Sequence, residues 1–186
     1  MQVPLIEDLP KGFMAVREGM RNPRWRADKP ATLYWAEALD GGDPAQKSTY
    51  RDAVYEQDFP FDKTAKELIK THNRFSNIRW GNDNLAIAYD RWFNNRNTKT
   101  YLFNPSNSDA EAKIIADRNY QDRYSDPGSF VTEKNQYDRQ VLSVSNNKLF
   151  LIGAGYSDEG ILPFIDEYNL NSGEKNRLYS CLLLHI

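Results

Sequence analysis

One cysteine and two histidines are all that the 186 residues offer of the side chains that most often bridge, coordinate transition metals or shuttle protons. With Cys181 alone, an internal disulfide framework and a cysteine-rich zinc site are both excluded, and the redox compartment stays open. Charge of one sign is lacking too. The 24 basic and 26 acidic residues leave a net charge of −2, which gives no general attraction to nucleic acid or an anionic membrane. No run of about 18 apolar residues occurs, so no membrane-spanning segment is expected. The opening MQVPLIEDLPKGF carries acids where an export signal would carry a basic and then an apolar stretch.

What is present is aromatic: 13% of the residues, including 11 Tyr and 4 Trp. Many alternate with polar residues, which favours β-structure. The stretch NPRWRADKPATLY from Asn22 to Tyr34 returns as NIRWGNDNLAIAY from Asn77 to Tyr89, an ungapped offset of 55 with six identities in thirteen positions. Among the shared residues, Trp25 and Trp80, and Tyr34 and Tyr89, are expected to fill equivalent packing sites, and Asp28 and Asp83 to begin a turn.

Around this repeat the chain reads as sets of four short strands. In the first unit ATLYWAEAL and YRDAVYEQDF are strands separated by the turn-forming GGDPAQ, and AKELIKT is an outer strand. The second unit runs FSNIRW, NLAIAYDRWF, TKTYLFN and AKIIAD. A third, more diverged unit runs QVLSVS, KLFLIGAGY, LPFIDEYNL and KNRLYSCLLL. Such a unit cannot bury both faces alone and must stack on neighbours. The expected fold is therefore all-β, a partial β-propeller of about three four-stranded antiparallel blades, with units at 22–72, 73–117 and 138–183. Three blades do not close a ring, so open faces would favour self-association or attachment to further sequence.

The residues WRADKPATLYWAEALDGGDP and YRDAVYEQDFPF, then RFSNIRWGNDNLAIAYDRWF, TYLFNPSN, DRYSDPGSF and NKLFLIGAGYSDEGILPFIDEYNL, closely resemble the N-terminal propeller of the glutamyl endopeptidase-like branch of the prolyl oligopeptidase family of serine peptidases. The resemblance runs from about Ala15 to Tyr179. It implies a propeller that covers the active site of a C-terminal α/β-hydrolase domain and restricts entry to peptides. A nucleophile elbow, G-x-S-x-G, is needed for that domain, and the chain has none; in GYSDEG, Glu159 stands where the second glycine belongs. His72 and His185 are expected to have surface or packing roles rather than a place in a triad. The hydrolase domain is thus missing, and the expected partners are that domain, a peptide substrate of the parent, and other copies of the chain through open blades, with no nucleic acid, membrane, metal or cofactor. The alternative is a stand-alone module binding protein or glycan.

Few positions suggest chemistry. Arg123 and Asp126 lie in the turn-rich DRYSDPGSF and are candidates for facing a substrate, beside the simpler reading of a turn closed by a local salt bridge. In DGGDP, Asp40 and Asp43 are too few oxygen ligands for calcium. The basic and aromatic residues of RWFNNRNTKTY fit a solvated strand pair with buried aromatics better than a nucleic-acid surface. If the parent favours acidic side chains, an arginine must meet the substrate carboxylate.

Overall fold

A computed structural model of the chain describes Glu7 and residues 9–181. Among these residues there is no α-helix, and so none long and apolar enough to cross a membrane. The first sheet has the order β1 (Arg21–Trp25), β2 (Thr32–Ala38), β3 (Asp52–Asp58), β4 (Lys66–Thr71), and the second the order β5 (Arg74–Asn82), β6 (Leu85–Arg91), β7 (Asn97–Phe103), β8 (Lys113–Asn119). Every neighbouring pair is antiparallel. Among the described residues the antiparallel sheets form no closed barrel, and the fold is a partial β-propeller.

Period-two alternation decides which side chains enter each inter-sheet layer. Tyr34 and Val54 of the first sheet meet Ile78, Trp80, Ala86, Ala88 and Tyr101 of the second in one buried cluster. Tyr34 packs edge-on against Trp80 at 5.2 Å between ring centroids, and the Arg26 guanidinium lies over the same indole at 4.0 Å. Alternate residues of the second sheet, Leu85 and Ile87, turn the other way and meet Leu142, Leu149, Leu151 and Tyr168. Removing a side chain such as fully buried Ile87 would lose roughly 2–5 kcal/mol, transfer and cavity terms together.

The third sheet is less regular. Its order is β12 (Val144–Ser145), β13 (Lys148–Gly153), β16 (Phe164–Asn169), β17 (Lys175–Ser180), and β9 (Ser129–Phe130) also pairs with β13. Phe130 and Val144, 14 positions apart in sequence, pair with Leu151 and Leu149, two positions apart. The inner strand is therefore interrupted, and from its middle projects a hairpin of β10 (Thr132–Lys134) and β11 (Gln140–Leu142). Ser143 N donates to Val131 O at 3.0 Å and closes the base of this excursion. QVLSVS is thus two segments with different partners, not one strand. The sheet also draws on Ser129 and Phe130, which precede the span 138–183 read from the sequence.

The hairpin reaches the first sheet. Asn135 Nδ2 donates to Ala27 O at 2.8 Å, and Arg139 Nη1 donates to Arg26 O at 3.0 Å and Lys29 O at 2.9 Å. A second small hairpin, β14 (Tyr156–Ser157) and β15 (Gly160–Ile161), occupies GYSDEG; there Ser157 Oγ donates to Gly160 O at 3.0 Å. Near the start of the chain, Val16 N donates to Gly42 O at 3.0 Å. Gly42 has a φ of +72°, and a Cβ there would lie 1.9 Å from Val16 O, so only glycine allows this approach.

Candidate functional site

The sheet-two residues that point towards sheet three pack at one end and diverge at the other. Ile87 pairs with Arg79, Tyr89 with Asn77 and with Thr100, and Thr98 with Arg118, so alternation brings these side chains to one face. Where that face parts from the third sheet it leaves a cleft of about 560 Å³. Ile115, Phe130, Leu151 and Tyr168 supply apolar surface, and Ser76, Asn77, Thr98 and Thr100 supply neutral hydrogen-bonding groups. Arg79, Arg91, Arg118 and Lys175 supply positive charge against a single carboxylate, Asp126.

The cations differ in their engagement. Arg118 Nη2 holds Asp126 Oδ2 at 3.0 Å. Lys175 Nζ lies 3.3 Å from the buried Asp166, which also pairs with Arg177. Arg91 stacks over the Tyr120 ring at 4.4 Å. Among the described residues, neither Arg79 nor Arg91 has a carboxylate within salt-bridge distance. Burial pushes the Tyr89 hydroxyl up to about 12, with the nearby charge of Arg79 working in the opposite direction.

Of the residues singled out in the sequence, Asp126 lies on the wall shared by this cleft and a smaller one of about 350 Å³ bounded by Tyr124, Tyr156 and Arg177. Arg123 is drawn away, over the Tyr156 ring at 5.3 Å. Arg123 and Asp126 meet through the backbone of the turn, where Asp126 N donates to Arg123 O at 3.4 Å, while the Asp126 carboxylate pairs with Arg118 rather than with the Arg123 side chain. The repeat aromatics occupy unlike surroundings. Trp80 is 2% exposed between two sheets, whereas Trp25 is 52% exposed, on the face of the first sheet turned away from the second and beside Phe61 at 6.2 Å. Tyr34 and Tyr89 each face the following sheet, the first buried and the second partly so.

Other charged clusters are engaged internally. Arg74 bridges Asp40 at 2.7 Å and Asp52 at 3.0 Å, Arg21 holds Asp52 at 2.7 Å, and Arg51 holds Asp40 at 2.7 Å. Asp40 is thereby committed to arginines, while Asp43 caps Ala45 N at 2.8 Å. Burial lowers the Arg26 pKa, but hydrogen bonds to Asp28 and Glu56 outweigh it and hold the guanidinium above its ordinary value. In RWFNNRNTKTY the basic groups scatter: Arg96 folds over Phe93, Lys99 pairs with Asp117, and Trp92 is buried beneath Arg51. His72 stacks on Tyr50 at 4.7 Å and its Nδ1 lies 2.8 Å from Thr49 O; His185 lies outside the described residues. No group of three or more His, Cys, Asp or Glu suited to a metal ion occurs among the described residues.

The fold and the cleft define an all-β chain of propeller-like sheets with a basic gap between two of them. Comparison with curated proteins adds two relatives. The chain is 38% identical over 185 residues to "Probable glutamyl endopeptidase, chloroplastic" of Arabidopsis thaliana, and 36% identical over 184 residues to the protein of the same name from Oryza sativa subsp. japonica. Each match takes in 95% of this chain but only 19% and 20% of the relative, so the chain spans about a fifth of the length of the curated relatives it matches. It is homologous to a portion of glutamyl endopeptidase-like proteins. No family model matches the chain, and no solved structure matches it.

Proposed function

We propose that this chain is a non-catalytic propeller segment of a serine peptidase of the prolyl oligopeptidase family, and that in the whole enzyme it gates the approach of peptides to a hydrolase domain. The observation that carries this reading is the agreement of fold and sequence. The described residues fold as stacked antiparallel sheets without a closed barrel, and the sequence matches proteins named as glutamyl endopeptidases along 95% of its length. The mechanism is steric. Blades packed around an axis leave an opening that admits an extended or short peptide and excludes a folded protein. A stand-alone binding module is the second reading, favoured by the cleft between sheets two and three, where Arg79 and Arg91 have no acidic partner among the described residues.

The reading frame downstream of the codon for Ile186 in the source gene separates the two. A frame that continues through further blade-like sequence to G-x-S-x-G and a later histidine is the expected result. A stop codon directly after Ile186 would overturn the peptidase reading for this gene product and leave the binding module.

A further inference from the structure

We propose that the cleft between the second and third sheets binds an extended peptide segment in which acidic side chains flank an apolar one. The inference does not depend on the peptidase reading, since it rests on the chemistry of the cleft alone.

Charge comes first. The buried arginines Arg21, Arg26 and Arg74, and the half-buried Arg51, are paired with carboxylates. Arg79 and Arg91 are exposed at the cleft on adjacent strands and have no such partner among the described residues. In a chain of net charge −2, this is a local reversal of sign, and a guanidinium fork matches a carboxylate in both charge and geometry.

The remaining lining selects the rest of the ligand. A simple anion would use the arginines and leave the apolar surface of Ile115, Phe130 and Leu151 in contact with water. A nucleic acid strand needs a longer track of cations than this cleft provides. A peptide uses both parts: an apolar side chain against the floor, carboxylates on Arg79 and Arg91, and backbone groups within reach of Thr98 and Asn77. The volume of about 560 Å³ falls in the usual range of ligand clefts, about 300–1,000 Å³. Extended peptides suit a gap between sheets because the walls are themselves strands, with side chains at a two-residue period.

The test is fluorescence anisotropy of a labelled decapeptide of alternating Glu and Leu, titrated with the 186-residue chain at low ionic strength, beside the same peptide with Gln for Glu. The Glu peptide is expected to bind about tenfold more tightly or better, as one or more charge-assisted hydrogen bonds would give. Arg79→Glu and Arg91→Glu should each weaken it by about tenfold or more, Arg79→Lys by less, and raised salt should weaken it further. Lys47→Glu makes the same charge change on an exposed loop of the first sheet and should alter binding by less than roughly twofold, the screened effect of a distant charge. Circular dichroism melts of all variants confirm folding, since the Arg79 and Arg91 side chains are exposed. No saturable binding, equal binding of the Gln peptide, an equal loss with Lys47→Glu, or full displacement by millimolar inorganic phosphate would overturn the proposal.

Discussion

Asp90 is fully buried, and its carboxylate collects four donors: Asn73 N at 2.9 Å, Asn73 Nδ2 at 3.0 Å, Lys99 N at 2.8 Å and Tyr101 Oη at 2.6 Å. It thus ties the entry to β5, the end of β6 and the start of β7 into one corner of the second sheet. In an Asp90→Ala variant the Asn73 amide side chain keeps its bond to Asn97 Oδ1 at 2.8 Å, but the two backbone donors and the Tyr101 hydroxyl lose their acceptor. Each buried group left unsatisfied costs about 1–3 kcal/mol, and relief from burying the carboxylate returns part of the total. The expected loss is about 4 kcal/mol. With a urea m-value of roughly 2–3 kcal/mol/M, the unfolding midpoint should fall by about 1.3–2 M. Tyr101→Phe alone should lose about 1–2 kcal/mol, and the double variant should be less damaging than the sum, because both changes remove one shared bond. The Tyr101 hydroxyl, held above its ordinary pKa by burial and by Asp90, should also titrate at lower pH once Asp90 is gone. A loss below about 1 kcal/mol for Asp90→Ala, or strict additivity with Tyr101→Phe, would mean that Asp90 does not hold this corner together.

Two further outcomes follow from single residues. Tyr89 is raised from 10.0 to about 12 in the folded chain, so the stability linked to its neutral form is fully present below pH 10 and drains away as pH climbs towards 12. Tyr89→Phe should therefore flatten the alkaline decline of stability by up to about 3 kcal/mol, read from urea titrations across that window; an unchanged decline would show that Tyr89 is not buried as described. Gly42→Ala places a Cβ against the Val16 carbonyl at a φ of +72°, and should lose roughly 1–3 kcal/mol and several degrees of melting temperature, whereas an unchanged melt would mean that the Val16–Gly42 contact is not formed.

Much of the fold was legible because alternation is written directly into the strands. ATLYWAEAL and YRDAVYEQDF show the period of two, and GGDPAQ marks the loop between them, so β2, β3 and their order follow from local chemistry. The hairpin of β10 and β11 was not legible. QVLSVS reads as one strand because nothing in its side chains says that Ser143 returns to Val131 while Val144 pairs with Leu149. That choice is made by partners distant in sequence. The cleft was hidden for the same reason. Arg79, Tyr89 and Arg91 sit at alternate positions on their strands, visible in RFSNIRW and NLAIAYDRW, but the period does not say which neighbouring sheet they face or where that sheet pulls away. Asp126 was singled out from its turn, and it does reach the cleft wall; its partner, Arg118, comes from a strand that carried no motif. Trp25 and Trp80 share a repeat position, yet only Trp80 has a described sheet on either side, and a pattern of identities carries no information about what covers each copy.

Cleavage by the purified 186-residue chain, set beside the full-length product of the same gene, separates a gating segment from a catalytic one. Acidic fluorogenic peptides and a folded protein of similar sequence content would serve as substrates. The isolated chain is expected to give no turnover, and the full-length product to turn over peptides but not the folded protein. Peptide cleavage by the isolated chain that survives repurification, or equal cleavage of folded protein and peptide by the full-length product, would contradict the gating role.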